Sequence, residues 1–194
     1  MNPNTAKETY LDAMGAAEKG RASAPSWLRD LRRGGASRFA EIGFPTPRDE
    51  AWKYTDVTPI VQAGFKPAAR GVNGVDPAQL EGFWFENLPS HRLVFVNGHY
   101  SEKLSTPGAW PKGVTVMGLA EALRDQAHRL EPYLGRYVPE KIHGFAALNT
   151  ALFTDGANGG ISLAVFSCLP ASLGLPVWHV AQLICLPLLC LTEA

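Results

Sequence analysis

Apolar positions recur at helical spacing in several short stretches rather than in long amphipathic runs. Thr5-Ala6-Lys7-Glu8 has the pattern of a capping box, in which a hydroxyl at N-cap and a carboxylate at N3 satisfy two free amide donors. Tyr10, Leu11 and Met14 follow as a short apolar stripe, and Gly20 offers a C-terminal stop. A second helix is predicted from about Pro25 to Arg33, with Trp27, Leu28 and Leu31 as its apolar face and Gly34-Gly35 as its end. Phe39 and Ile42 continue the helical spacing up to Gly43. Thr46 can cap a further helix that opens with Pro47 and carries Asp49 and Glu50 in its first turn, where negative charge suits the helix dipole. Trp52 would then lie on the buried side, and Tyr54 would be a second packing anchor.

The period changes in the middle of the chain. Residues 57 to 89 are rich in turn residues and read as loop. Leu93-Val94-Phe95-Val96 reads as a strand, Asn97-Gly98 as a tight hairpin turn, and His99-Tyr100 as the start of the return. Val114-Thr115-Val116 is a second short strand. It feeds an amphipathic helix in which Leu119, Leu123, Ala127 and Leu130 repeat at helical spacing until Pro132. A last helical piece runs from Phe145 to Phe153 and ends at the turn Thr154-Asp155-Gly156. Together these elements predict an α+β fold.

Composition adds one break to this picture. The chain has 194 residues, and its 18 basic and 18 acidic side chains cancel, so no global field steers it to nucleic acid. Yet from Gly156 to Thr192 there is no Asp, Glu, Lys or Arg, and all three cysteines (Cys168, Cys185 and Cys190) fall in that stretch. The N-terminus has no apolar core of the secretory type, so a cytoplasmic location is the expectation. The uncharged run Val177–Leu191 is short for a membrane span and is broken by Pro187; a tail anchor is the rival reading of this end, and membrane association is disfavoured.

Candidate chemistry is sparse. His91, His99, His128, His143 and His179 form no ligand pair at i, i+3 or i+4, and the cysteines lack metal-site spacing. No phosphate-binding, dinucleotide-binding, zinc-protease or nucleophile-elbow motif occurs. Gly71-Val72-Asn73-Gly74 follows no credible strand and reads as loop. Asp49 and Glu50 are adjacent, so on a helix they point apart and make a poor acid–base pair. Arg29, Arg32 and Arg33 resemble a phosphate patch, but the preferred reading is a solvated helix face. The expectation is a protein that is not an enzyme; an unrecognised enzyme fragment is the alternative.

Three stretches, in this order and spacing, carry a family likeness. GFPTPRDEAWKYTDV (43–57), RLVFVNGHYSEKLS (92–105) and FAALNTALFTDGA (145–157) resemble segments of the SufD family. The positions that match its motifs include Pro45, Arg48, Glu50, Trp52, Lys53 and Tyr54 in the first, Asn97 and Gly98 in the second, and Asn149, Asp155 and Gly156 in the third. Structural anchoring or partner contact is the role expected of them.

The resemblance implies a SufD-like component of the SufBCD scaffold for iron–sulfur cluster assembly, with SufB and SufC as partners. No cofactor is expected on this chain itself, the cluster being implied only for the complex. The implied organisation is an N-terminal helical region (1–65), a mixed α/β segment (66–143), the threshold of a right-handed parallel β-helix (144–157) and an atypical apolar tail (158–194). The regions by which the family docks SufC, and most of those facing SufB, have no counterpart here, so binding is expected to be weak. The loss of charge after Ala157, with prolines at 170, 176 and 187 that interrupt both helix and ladder, leads to the expectation that 158–194 derive from a shifted reading frame or a wrong gene-model end, leaving a truncated family member. Such a product is expected to be partly folded and poorly soluble, since its apolar tail would lie exposed.

Overall fold

The computed structural model describes residues 3–65, 67–68, 75–83, 91–110, 112–137 and 143–161. The element order is α1 (Pro3–Lys19), α2 (Ser26–Ile42), α3 (Thr58–Ala63), β1 (Phe95–Val96), β2 (His99–Tyr100), β3 (Val114–Gly118), α4 (Leu119–Asp125), α5 (Ala127–Leu130), α6 (Gly144–Leu152) and β4 (Ala157–Ile161), with short 3₁₀ turns between them. This is an α+β chain. It divides into a unit built from Met1–Ala68 and Gln126–Phe153, and a second built from Ala69–Asp125 and the described part of Thr154–Cys185.

The first unit is helical. α1 buries Ala6, Tyr10 and Met14, spaced by four, on one stripe. Tyr10 and Met14 join Phe39 of α2 and Ala147, Leu148, Ala151 and Leu152 of α6 in the main core, with Phe44, Phe65 and Phe145 against it. A smaller cluster of Ala6, Val57 and Val61 lies under Trp52 and Phe145. α1 begins at Pro3, two residues before the predicted cap, since proline suits the first helical position.

α2 departs more from expectation: it runs straight through Gly34-Gly35 to Ile42. Two glycines cost an isolated helix about 1 kcal/mol each relative to alanine, and here tertiary contact offsets the cost. A Cβ on Gly35 would lie 2.9 Å from Ala147 O, Ala151 N and Thr150 Cβ, so glycine lets α2 and α6 approach backbone to backbone. The buried line of α2 is therefore Leu28, Arg32, Gly35 and Phe39. Gly144 opens α6 under still tighter restraint, because a Cβ there would come within 1.8 Å of the Gly43 carbonyl oxygen.

The predicted helix after Thr46 is also shorter than expected. Thr46 and Asp49 hydrogen-bond to each other, but only a single 3₁₀ turn, Glu50–Trp52, follows, and it starts after Asp49 without a side-chain cap. The predicted helix from Leu119 to Leu130 is two: α4 stops at Asp125, and Gln126 (φ −138°, ψ 31°) leaves helical geometry before α5.

The second unit has two small antiparallel ladders. β1 pairs with β2 through Phe95–Tyr100 and Val96–His99. The turn residues Asn97 (φ 52°) and Gly98 (φ 77°) both take the left-handed backbone that the Asn-Gly pair predicts. The ladder is prolonged by an Arg92–Thr106 bridge and by the Ser101 N–H, which donates to Val94 O at 2.9 Å. β3 pairs with β4 in a register running from Val114–Ile161 to Gly118–Ala157. Ala-Asn-Gly-Gly-Ile has little strand propensity, so the pairing with Val114–Gly118 creates this strand. The cysteines, His179 and the rest of the apolar tail lie outside the described residues.

Candidate functional site

The segment Pro45–Pro59 is a turn braced at three points. The Thr46 N–H donates to Asp49 Oδ2 at 2.6 Å, the Thr46 hydroxyl lies 3.1 Å from the same oxygen, and the Arg48 N–H donates to Thr46 Oγ1 at 3.3 Å. Trp52 is half-buried, its ring centroid 5.4 Å from that of Phe145 and 5.5 Å from that of His143. At the far end the Thr58 N–H donates to Asp56 Oδ1 at 2.9 Å, and hydrogen bonding from the Thr58 hydroxyl and then its N–H holds the Asp56 carboxyl below its usual range. Asp49 and Asp56 thus work inside the turn, closing it at either end.

Pro45 is buried, whereas Arg48, Glu50 and Lys53 are exposed. Tyr54 was expected to anchor and does the opposite: it is 92% exposed, with the Lys53 ammonium 5.5 Å from its ring centroid. A 3₁₀ turn repeats every three residues, so Trp52 facing inward leaves Lys53 and Tyr54 on the outward edges.

A second constellation surrounds the C-terminus of α6, within the first unit. Arg21 donates to Leu152 O and Arg32 donates to Phe153 O, each at 3.2 Å, and the Arg32 guanidinium carbon lies 4.9 Å from the centroid of the Phe153 ring. These two cations close carbonyls that the helix end leaves unpaired, at the pole where positive charge is favoured. Arg32 is only 6% exposed, so it does not sit on the solvated face read for it. Its partner in that reading, Arg33, is exposed and pairs with Asp30. Burial, then the charge of Arg21, lowers the Arg32 guanidinium to about 10, with Glu18 opposing both. Burial also lowers Arg21, again against Glu18. Both remain cations at neutral pH. Periodicity offered a signal for Arg32, since it stands on the Leu28–Phe39 line; its charge argued against burial.

Asp155 organises the second unit. It is 2% exposed, and its carboxylate accepts from three backbone donors: Tyr100 N–H at 2.9 Å, Ala120 N–H at 2.8 Å and Gly156 N–H at 2.9 Å. Gly156 adds its carbonyl oxygen, which accepts from the Leu119 N–H at 2.7 Å. One side chain therefore caps α4 and ties in the end of the Asn97-Gly98 hairpin. Asn149, from the same sequence stretch, lies on α6 in the first unit, where its carbonyl oxygen accepts from the Phe153 N–H at 2.9 Å.

His143 caps α6, its Nδ1 accepting from the Ala146 N–H at 3.3 Å, and His91 stacks on Trp110 with centroids 4.1 Å apart. Among the described residues no group of three or more His, Cys, Asp or Glu side chains could hold a metal ion. No helix of the described residues is long and apolar enough to cross a membrane.

What these elements define is a braced structural module. Residues 4–158 match the family model described as the SufBD protein N-terminal region. The chain belongs to the SufBD family. It is 33% identical over 135 residues to an iron–sulfur cluster assembly SufBD family protein of Synechocystis sp., covering 68% of this chain and 28% of that protein. A chloroplastic iron–sulfur cluster assembly SufBD family protein of Arabidopsis thaliana is 28% identical over 145 residues, 69% of this chain and 26% of its own length. Another Arabidopsis family member is 27% identical over 150 residues, again 69% of this chain, and 32% of its own length. The chain thus spans about a quarter to a third of the length of these relatives. No solved structure matches it.

Proposed function

We propose that this chain serves iron–sulfur cluster assembly as a non-catalytic, SufD-like scaffold component of a SufBCD-type complex. The observation that carries this reading is the family match across residues 4–158, in which all three motif stretches fall. In this reading the cluster is the cargo of the complex. The chain itself supplies rigid surface, with Arg21, Arg32, Asp49, Asp56 and Asp155 spent on turns and helix ends. α6 and the Thr154-Asp155-Gly156 turn, within residues 144–157, are read as the threshold of a right-handed parallel β-helix. The compartment is taken to be the cytoplasm.

SufB and SufC are the proposed partners, bound weakly by this part of the family architecture, with dissociation constants on the order of 10 μM or above. Co-expression with SufB and SufC followed by affinity purification and equilibrium binding tests this. Weak but saturable association with either subunit is the expected result. Stoichiometric recovery of SufC would overturn the weak-binding reading, and absence of association with both subunits at about 100 μM would overturn the partner assignment.

A further inference from the structure

Residues 76–83 make a self-contained helical turn on the second unit. Its start is a reciprocal cap: the Asp76 N–H donates to Gln79 Oε1, and the Ala78 N–H donates to Asp76 Oδ1, both at 2.9 Å. A 3₁₀ helix, Pro77–Phe83, follows. Its seven residues are long for this geometry, in which runs beyond about four are uncommon.

Because side chains three apart eclipse one another in a 3₁₀ helix, Pro77, Leu80 and Phe83 line one edge as an apolar ridge. Pro77 is exposed, Leu80 half-buried, and Phe83 is 78% exposed. Asp76 falls on one neighbouring edge and Glu81 on the other. From Gly71 to Ser90 the sequence contains no Lys or Arg. The ridge is therefore apolar along its crest, acidic on both flanks and fixed by its own cap.

We infer that Asp76–Phe83 is a docking ridge for a protein partner that presents an apolar groove rimmed by Lys or Arg side chains. Apolar anchors at i and i+3 on a short helix are what such a groove reads, and the flanking carboxylates select basic rims by charge complementarity. A second copy of this chain is disfavoured because two ridges would bring their carboxylates together. Nucleic acid and anionic lipid surfaces are disfavoured by the same charge. Leu80 and Phe83 supply the contact area, and the self-cap reduces the ordering cost of binding.

The inference takes its first partners from the proposed function, so the experiment separates the two. A photoreactive benzoyl-phenylalanine at position 83 of the full chain, co-expressed with SufB and SufC, is expected to cross-link to one of them at a segment containing Lys or Arg. The same group at Tyr137, also exposed (60%), is expected to give no such product. Leu80→Ser should abolish the cross-link. Glu81→Lys, at an exposed position, should weaken binding about tenfold and flatten its salt dependence. Equal labelling from positions 83 and 137, cross-links into the same chain or a second copy, or unchanged binding of Glu81→Lys in an intact complex would overturn the ridge while leaving the proposed function standing. A wild-type chain that associates with neither subunit would overturn the proposed function as well.

Discussion

The two units of this chain are held together by different physics. In the helical unit the decisive quantity is volume: α2 and α6 meet where Gly35 faces Ala147 and Ala151, and Gly144 lies against the Gly43 backbone. In the second unit a single buried carboxylate, Asp155, gathers three backbone amides from the hairpin, from α4 and from its own turn. The first arrangement fails when an atom is added, the second when one acceptor is removed. Both depend on the stretch from Gly144 to Gly156, whose helix completes one core and whose terminal turn organises the other.

The largest expected effect tests the volume limit. Gly144→Ala puts a methyl where the Gly43 carbonyl oxygen stands, and Gly35→Ala puts one against α6 backbone; such overpacking costs about 1–3 kcal/mol and more where only backbone can yield. Urea unfolding followed by hydrogen exchange should show the loss first in amides of α1, α2 and α6. Unchanged protection there would mean that the helices are not in backbone contact.

Asp155→Ala should come next, at roughly 3 kcal/mol, because three buried or partly buried N–H groups lose a charged acceptor. Hydrogen exchange should accelerate at Tyr100, Ala120 and Gly156, with α2 and α6 spared. Asp155→Asn should recover only part of the loss, since its NH₂ group faces a donor. Full recovery would show that charge and acceptor count do not matter at this position.

The Trp52 turn sharpens the contrast on a smaller scale. Trp52→Ala should cost about 2–3 kcal/mol through the contacts with Phe145 and His143, and Tyr54→Ser should stay within about 0.5 kcal/mol. Equal losses in thermal unfolding would contradict the opposite orientations of the two rings. Arg32→Met is expected within about 1 kcal/mol of wild type, because an apolar side chain of similar length removes both the carbonyl contact and the burial of a charge.

The smallest effect is in alkali. Burial raises the Tyr10 hydroxyl above its ordinary value of 10.0, opposed in part by the Phe65 backbone. The folded state therefore holds this proton more tightly than the unfolded chain. Its contribution is complete below pH 10 and is lost as pH rises through the raised value. Tyr10→Phe should flatten the stability profile from about pH 10 upward; an unchanged slope would assign the alkaline loss to other groups.

Much of this was readable in advance where structure is local. The Asn97-Gly98 hairpin, the stripe of α1 and the turn at Thr154-Asp155-Gly156 follow from turn chemistry and period. The three motif stretches also marked the family. What could not be read is the environment each side chain meets. Arg32 and Gly35 stand on the buried line of α2, although one is charged and the other is a helix breaker, because α6 arrives from more than a hundred residues away. Tyr54 has the composition of an anchor and is exposed, since side chains two apart on a helical turn point to different sides and Trp52 takes the inward one. β4 is a strand only because β3 lies beside it.

The sequence by itself determined the α+β class, the hairpin turn, the absence of a familiar catalytic motif and the family to which the chain belongs. These depend on neighbours within a few residues or on the order of motifs along the chain. Tertiary structure decided that α2 continues through two glycines, that Arg21 and Arg32 close the end of α6, that Asp155 accepts from three backbone amides, and that Phe83 stands out on an acidic-flanked ridge. The physical reason is the same each time. Local propensities are worth about a kilocalorie per residue, and contacts with distant segments outweigh them.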